Sequence, residues 1–374
     1  MAAASGLTAR IRSRLARLDG RGREPGVDLA RGLAVFGMFA AHLLTTLPFD
    51  WAHPETWTDL VNGRSSILFA TLAGVSLALV TGRTEPLSGT ALAWARVRIS
   101  LRAVCIWVIG YLLILLNTPV LVILPAYAIL FLLALPLLRV PPVWLFAVAG
   151  LISVTMPFAV HAIDAAGHDG EIAQGVVLLL GWDYPFLLWA AYLIAGLGIG
   201  RIAFSRPLTA LILATCGAFL AVVGYGIIGA AALLWPADPL WGAVLSSGAH
   251  SNGIGEAVGS GGVAIAIIAL CALLCRTPVR WIVLPVRAVG AMPLTAYSAQ
   301  LVAWAILQPP AGAYGSDLAA FRALEPFWPL TIATLVGCTL WTLLVGRGPL
   351  EWLIARIAGI GFAASASGSP DAAR

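Results

Sequence analysis

The sequence predicts an all-α integral membrane protein: a polytopic helix bundle of about ten transmembrane helices with both termini in the cytoplasm. Its composition, the spacing of its apolar runs and the placement of its arginines make the prediction. Of 374 residues, 60% are hydrophobic and 10% charged, where an ordinary soluble domain carries roughly 25% charged residues. Mean hydropathy is +0.94, and no polar block between Val27 and Val345 is large enough to form a soluble domain.

A span needs about 20 mostly apolar residues to cross roughly 30 Å of hydrocarbon. Ten runs qualify, at 28–48, 64–82, 99–117, 119–138, 143–163, 184–203, 207–234, 257–275, 286–307 and 327–346. The run Ile172–Leu180 is too short and reads as a re-entrant or interfacial piece. The remainder divides into a basic cytoplasmic segment (1–26), a transmembrane domain (27–346), a short amphipathic cytoplasmic helix (347–360) and a disordered tail (361–374). The first span carries Asp28 and Arg31 and lacks a cleavage motif, so the N-terminus is expected to stay. Within that terminus Leu7, Ile11 and Leu15 recur at helical spacing among Arg10, Arg12, Arg14 and Arg17, as in a helix lying on an anionic membrane surface. A solvated positive tail fits equally well.

All 22 basic residues are arginine. With ten spans, Arg83, Arg96, Arg98, Arg139, Arg201, Arg206, Arg276, Arg280, Arg287, Arg347 and Arg356 fall inside and only Arg64 and Arg322 outside, as the positive-inside rule requires. Asp50, Glu55, Asp59, Asp164, Asp169, Glu171, Asp183, Asp238, Glu256, Asp317 and Glu325 fall outside or at the outer ends of helices. The arginines are scattered singly, which argues against nucleic acid as a partner despite the net charge of +5. The five cysteines lie inside apolar runs with no Cys-x-x-Cys, so neither a disulfide framework nor a zinc site is expected. His161, His168, Asp164 and Asp169 lack a tight ligand spacing, and no metal is predicted. Gly224-Tyr225-Gly226-Ile227-Ile228-Gly229 matches a nucleotide-binding pattern but sits mid-span without a preceding strand. Glycine clusters, including Gly196, Gly198 and Gly200 and the pair Gly255 and Gly259, are expected to permit close helix packing.

The chemistry concentrates in the first hairpin. Charges inside a span usually face the bundle interior, and Asp28 and Arg31, three residues apart, are placed to pair. His42 follows Arg31 by eleven residues, close to three helical turns, so both share a face about 16 Å apart along the helix. A long, thin substrate reaches both: an acyl-CoA would set its phosphates against the guanidinium and carry its thioester to the imidazole. Histidine is suited to take a proton near neutral pH or to be acylated itself. His53 lies in the first outer loop with Asp50, Glu55 and Asp59, any of which is able to orient an imidazole.

The stretches Gly26-Val27-Asp28-Leu29-Ala30-Arg31-Gly32-Leu33-Ala34, Gly63-Arg64-Ser65 and Leu68-Phe69-Ala70-Thr71-Leu72-Ala73-Gly74-Val75-Ser76 resemble the start of the heparan-alpha-glucosaminide N-acetyltransferase family. Gly290-Ala291-Met292-Pro293-Leu294-Thr295-Ala296-Tyr297 and Gly348-Pro349-Leu350-Glu351-Trp352-Leu353 look like the C-terminal part of the related YeiB-like membrane proteins. The Arg31-x10-His42 spacing also resembles that of membrane sugar O-acyltransferases. The resemblance implies an acyl group, acetyl by preference, taken from cytoplasmic acyl-CoA and delivered to a sugar or glycoconjugate at the outer face of a bacterial inner membrane. It implies catalytic roles for His42, or for the loop histidine His53 of His53-Pro54-Glu55-Thr56-Trp57, with Asp59 nearby. Asp28, Arg31, Arg96, Arg98 and Arg102 are the candidates for holding acyl-CoA. A homodimer is compatible with the sequence. The competing reading is a small-molecule transporter, although no internal repeat divides the spans into related halves.

Overall fold

The computed structural model describes residues 13–16, 18–19, 23–167, 171–235, 239–307 and 321–366. The described residues are helical and turn structure, with no strand among them. The helix α1 spans Pro25–Leu43, α2 Arg64–Val80, α3 Gly89–Ile114, α4 Leu124–Ala134, α5 Pro142–Ala165, α6 Glu171–Leu180 and α7 Phe186–Arg201. They are followed by α8 Pro207–Ala221, α9 Pro239–Leu245, α10 Ile254–Leu274, α11 Leu284–Ala291, α12 Pro293–Leu307, α13 Phe327–Leu344 and α14 Pro349–Ala366. Proline stands in the first turn of α1, α5 and α8, where its missing N–H has no helical acceptor to serve.

Each of the ten apolar runs holds a helix. Among the described residues, seven helical stretches are long and apolar enough to cross a membrane: Pro25–Leu43, Pro54–Val80, Gly89–Ile114, Pro142–Ala165, Pro207–Ala232, Ile254–Leu274 and Phe327–Leu344. The run 286–307 is instead two helices, α11 and α12, meeting at 85°. Met292 leaves the helical region there (φ −137°, ψ 54°), and Pro293, which has no N–H to donate, opens the next helix. The runs 119–138 and 184–203 give the shorter helices Leu124–Arg139 and Phe186–Arg201. The second of these is buried at nearly every position. The third run corresponds to the longer α3, which starts ten residues before the hydropathy boundary because Trp94, Arg96 and Arg98 continue the helix.

Glycines decide which helices touch. A Cβ on Gly74 of α2 would lie 1.9 Å from the Leu193 carbonyl of α7, and one on Gly196 of α7 would lie 1.8 Å from the Thr71 carbonyl. Gly32 of α1 faces the Val286 carbonyl at 2.1 Å by the same measure, and Gly290 of α11 faces the Asp28 carbonyl at 1.7 Å. Helix backbones can approach this closely only where no side chain intervenes. The nucleotide-like glycine pattern is a π-helical turn, Val222–Ile228, continuing α8. Its Gly224 lies against Gly259 of α10, where an added Cβ would come 2.2 Å from the amide nitrogen.

Two buried arginines belong to this framework. Arg201, 4% exposed, donates to the carbonyls of Thr81, Arg83 and Leu138 and to Thr81 Oγ1. It thereby satisfies carbonyls left over where α2 ends. Arg287, fully buried, donates to the carbonyls of Arg280 and Leu18 and pairs with Asp19. Leu18 is buried as well, so this point of the N-terminal segment docks on protein. Residues 1–12 and 17, which carry most of the expected surface helix, lie outside the described residues. So do His168, Asp169, Asp238 and Asp317, and residues 367–374 of the expected tail. The backbone of α14 continues helically to Ala366, six residues into the segment read as tail. The five cysteines are unpaired.

Candidate active site

The candidate side chains gather at the two ends of α1. At the Arg31 end, Asp28 is 2% exposed and accepts from Arg23 Nε at 2.9 Å and from Arg31 Nη1 at 3.1 Å. The other terminal nitrogen of Arg31 donates to Ser76 Oγ at 2.5 Å. The Asp-x-x-Arg motif is therefore a side-chain bridge on one helix face, fastened to the last turns of α2 through Ser76. A second bridge, Arg83 to Glu24 at 2.7 Å, closes the same end. A buried carboxylate is tolerated when paired and hydrogen-bonded, and two guanidinium groups meet that need for Asp28.

Arg102 of α3 lies within electrostatic reach of both Arg31 and Glu351. Its guanidinium stands 5.8 Å from the Phe131 ring centre. Arg96 turns to the Leu135 carbonyl at 3.3 Å, and Arg98 is exposed. Of the three α3 arginines, Arg102 is the one within electrostatic reach of Arg31. Glu351, whose role was not legible in the sequence, accepts the backbone N–H groups of Leu294 (2.8 Å) and Thr295 (3.1 Å) and the Thr295 hydroxyl (2.5 Å). It caps the N-terminus of α12 at the 85° break and so joins α14 to the half-helix.

At the other end, His42 lines a cavity of about 50 Å³ with Met38, Asn62, Ser65, Tyr184, His250 and Tyr297. The His42 ring packs edge-on against Trp304, with centroids 5.5 Å apart. Its Nδ1 has no hydrogen-bond partner among the described residues. The carbonyls of Ala41 and His42, left free by the end of α1, accept from Arg322.

The segment between α1 and α2 builds a separate imidazole site. His53 Nδ1 lies 3.0 Å from Asp50 Oδ2. Thr56, buried in this turn, donates to the carbonyls of Asp50 and His53 and accepts the Asp50 N–H, and Trp57 Nε1 donates to the Asp50 carbonyl at 3.2 Å. The Thr and Trp of His53-Pro54-Glu55-Thr56-Trp57 thus fix the backbone that presents Asp50 to His53. The N–H of Ala52, followed by the His53 ring, holds the Asp50 carboxyl below its ordinary range. Among the loop's three carboxylates Asp50 is the one against His53. Asp59 instead accepts from Asn62 Nδ2 at 3.2 Å, and its carbonyl accepts from Arg64.

His250, one of several outer-side histidines in the sequence, is brought to the cavity by a loop no motif marks. Glu256, 3% exposed, accepts the backbone N–H groups of His250 (2.6 Å) and Asn252 (2.8 Å). Both residues adopt left-handed backbone, φ 59° and 55°. The one sequence signal was Asn252-Gly253, an ordinary turn pair. Asp164, three residues after His161 on α5, accepts from Trp182 Nε1 at 2.9 Å.

The described residues form a helical membrane bundle with two arginines on Asp28 at one end of α1 and His42 at the other, and the chain is similar to transmembrane acyltransferases. The catalytic model of the heparan-alpha-glucosaminide N-acetyltransferase family matches residues 23–235, more than half of the chain, and the protein belongs to that family. A second model, a protein family of unknown function (DUF418), matches residues 215–360. No curated protein and no solved structure matches the chain. The two matched regions meet where Gly32 packs on Val286 and Gly290 on the Asp28 carbonyl.

Proposed function

We propose that the protein is a ten-span acyltransferase of a bacterial inner membrane, with both termini cytoplasmic. It takes an acyl group, acetyl by preference, from cytoplasmic acyl-CoA and passes it to a hydroxyl or amine of a sugar or glycoconjugate at the outer face. The observation that carries this reading is the α1 helix itself. One end bears Arg31, bridged to Asp28 and Ser76 with Arg102 nearby. The other bears His42 in a cavity and leads directly into the His53–Asp50 pair.

Guanidinium groups recognise phosphate oxygens by charge and by forked geometry, so Arg31 and Arg102 hold the CoA phosphates, with Arg96 and Arg98 nearer the aqueous entrance. The pantetheine arm follows α1 and brings the thioester to the His42 cavity. There the acceptor atom bonds the carbonyl carbon, the C–S bond breaks and its electron pair leaves on the CoA sulfur. The acceptor's proton passes to an imidazole: His42 lines the cavity itself, and His53, held by Asp50, stands in the outer loop that follows α1.

Inverted membrane vesicles, which expose the cytoplasmic face, test this. Given radiolabelled acetyl-CoA, vesicles holding the protein are expected to label an enclosed envelope glycoconjugate, and vesicles holding His53→Ala are not. Equal labelling in both removes His53 from the mechanism.

A further inference from the structure

We infer that His250 is the residue that orients the acceptor, and that Glu256 is its positioning residue. The inference rests on the acyltransferase reading and adds a residue that the first hairpin does not contain.

Four observations carry it. His250 lines the same cavity as His42 but comes from the loop before α10, so the site is completed across the junction of the two matched regions. It lines that cavity while remaining accessible to solvent, so an acceptor arriving from outside is able to reach it. Its backbone is held at φ 59°, a conformation that is uncommon for residues with a side chain and is retained where the surroundings over-determine it. The surroundings here are Glu256, which spends its buried carboxylate on the N–H groups of His250 and Asn252 and on the Ser251 hydroxyl. A carboxylate committed to one loop fixes that loop's geometry, and the ring of His250 lies 6.5 Å from that of Tyr184.

Partial desolvation at the cavity lowers the His250 pKa from its ordinary value, which favours the neutral ring, and a neutral imidazole offers one nitrogen as an acceptor. That nitrogen takes a hydrogen bond from a hydroxyl or amine of the acceptor and aims the attacking atom at the thioester carbon. Orientation of this kind contributes to rate without contributing to CoA binding.

The test uses His250→Asn, because asparagine tolerates left-handed backbone and removes the imidazole without new strain. In the vesicle assay at saturating acetyl-CoA, transfer is expected to fall by about 10²-fold, while the acetyl-CoA Kd of the purified variant stays within about twofold. Glu256→Gln, which keeps the side chain's shape and loses one acceptor oxygen, is expected to lose about 10-fold at unchanged acetyl-CoA KM. The double variant is expected to lose no more than His250→Asn alone, a non-additivity that a merely structural glutamate would not produce. Wild-type transfer rates in His250→Asn, or additive losses in the double variant, overturn the inference and leave the acyltransferase reading standing. Wild-type protein that binds acetyl-CoA yet transfers no label overturns both.

Discussion

Asp50 Oδ2 and His53 Nδ1 lie 3.0 Å apart in a turn whose backbone is tied by Thr56 and Trp57. A carboxylate placed on one ring nitrogen selects the tautomer whose other nitrogen is free to accept a proton, and it stabilises the cation that results. Asp50→Asn should therefore lower acyl transfer by about 10²-fold or more while leaving acetyl-CoA binding unchanged, measured by the vesicle assay and by calorimetry. Asp59→Asn, which touches Asn62 rather than His53, should lose far less.

Thr56→Val should act through the same turn. Its hydroxyl serves the backbone of both Asp50 and His53, and the substitution removes those bonds at nearly constant volume. The expected result is a lower transfer rate, about 10-fold, with a smaller effect on melting temperature, because the lost bonds all lie within one local turn.

Acidification should weaken acceptor use through His250. Its pKa lies below the ordinary value, and a neutral ring is the form that accepts a hydrogen bond. The contribution is thus fully present at pH 7 and lost as pH falls through a value below 6.5. The groups around it are His42, Tyr184 and Tyr297 across the cavity and Glu256 beneath its own loop. A transfer-rate profile should show an acid limb that is absent from His250→Asn.

Glu351→Ala should destabilise the bundle rather than the chemistry. It leaves the N–H groups of Leu294 and Thr295 without their acceptor, at a cost of about 1–3 kcal/mol for each group left unsatisfied. A drop in melting temperature in detergent is expected, with Glu351→Gln intermediate. Gly290→Ala should be worse, since its Cβ would lie 1.7 Å from the Asp28 carbonyl and would push α11 off the helix that carries Arg31.

Much of the fold was legible because hydrocarbon imposes a simple length rule, and every apolar run indeed contains a helix. The rule misreads what is not lipid-limited. The run 286–307 looks continuous by hydropathy, yet Pro293 and a capping carboxylate from 57 residues away, Glu351 onto Leu294, make it two helices. The start of α3 was placed late because arginines end an apolar run without ending a helix.

The site divides in the same way. The Asp28–Arg31 bridge follows from helical spacing alone, and the structure forms it. Ser76 lay inside a motif already singled out, but only the packing of α1 on α2 assigns it to Arg31. The choice of Asp50 over Asp59 depends on the turn set by Thr56 and Trp57, and no periodicity reports that. His250 depends on a loop held by Glu256 and on the seam between distant parts of the chain, so nothing local in the sequence marks it.

The central claim is that the Arg31 end of α1 is an acyl-CoA site. Calorimetric titration of purified protein with acetyl-CoA and with longer acyl-CoAs, repeated on Arg31→Ala, tests it most directly. The account predicts saturable binding to the wild type, weakened about 10-fold or more in Arg31→Ala, where a charge-assisted phosphate contact is lost. Absence of binding to any acyl-CoA, or equal affinity in the two proteins, would contradict it.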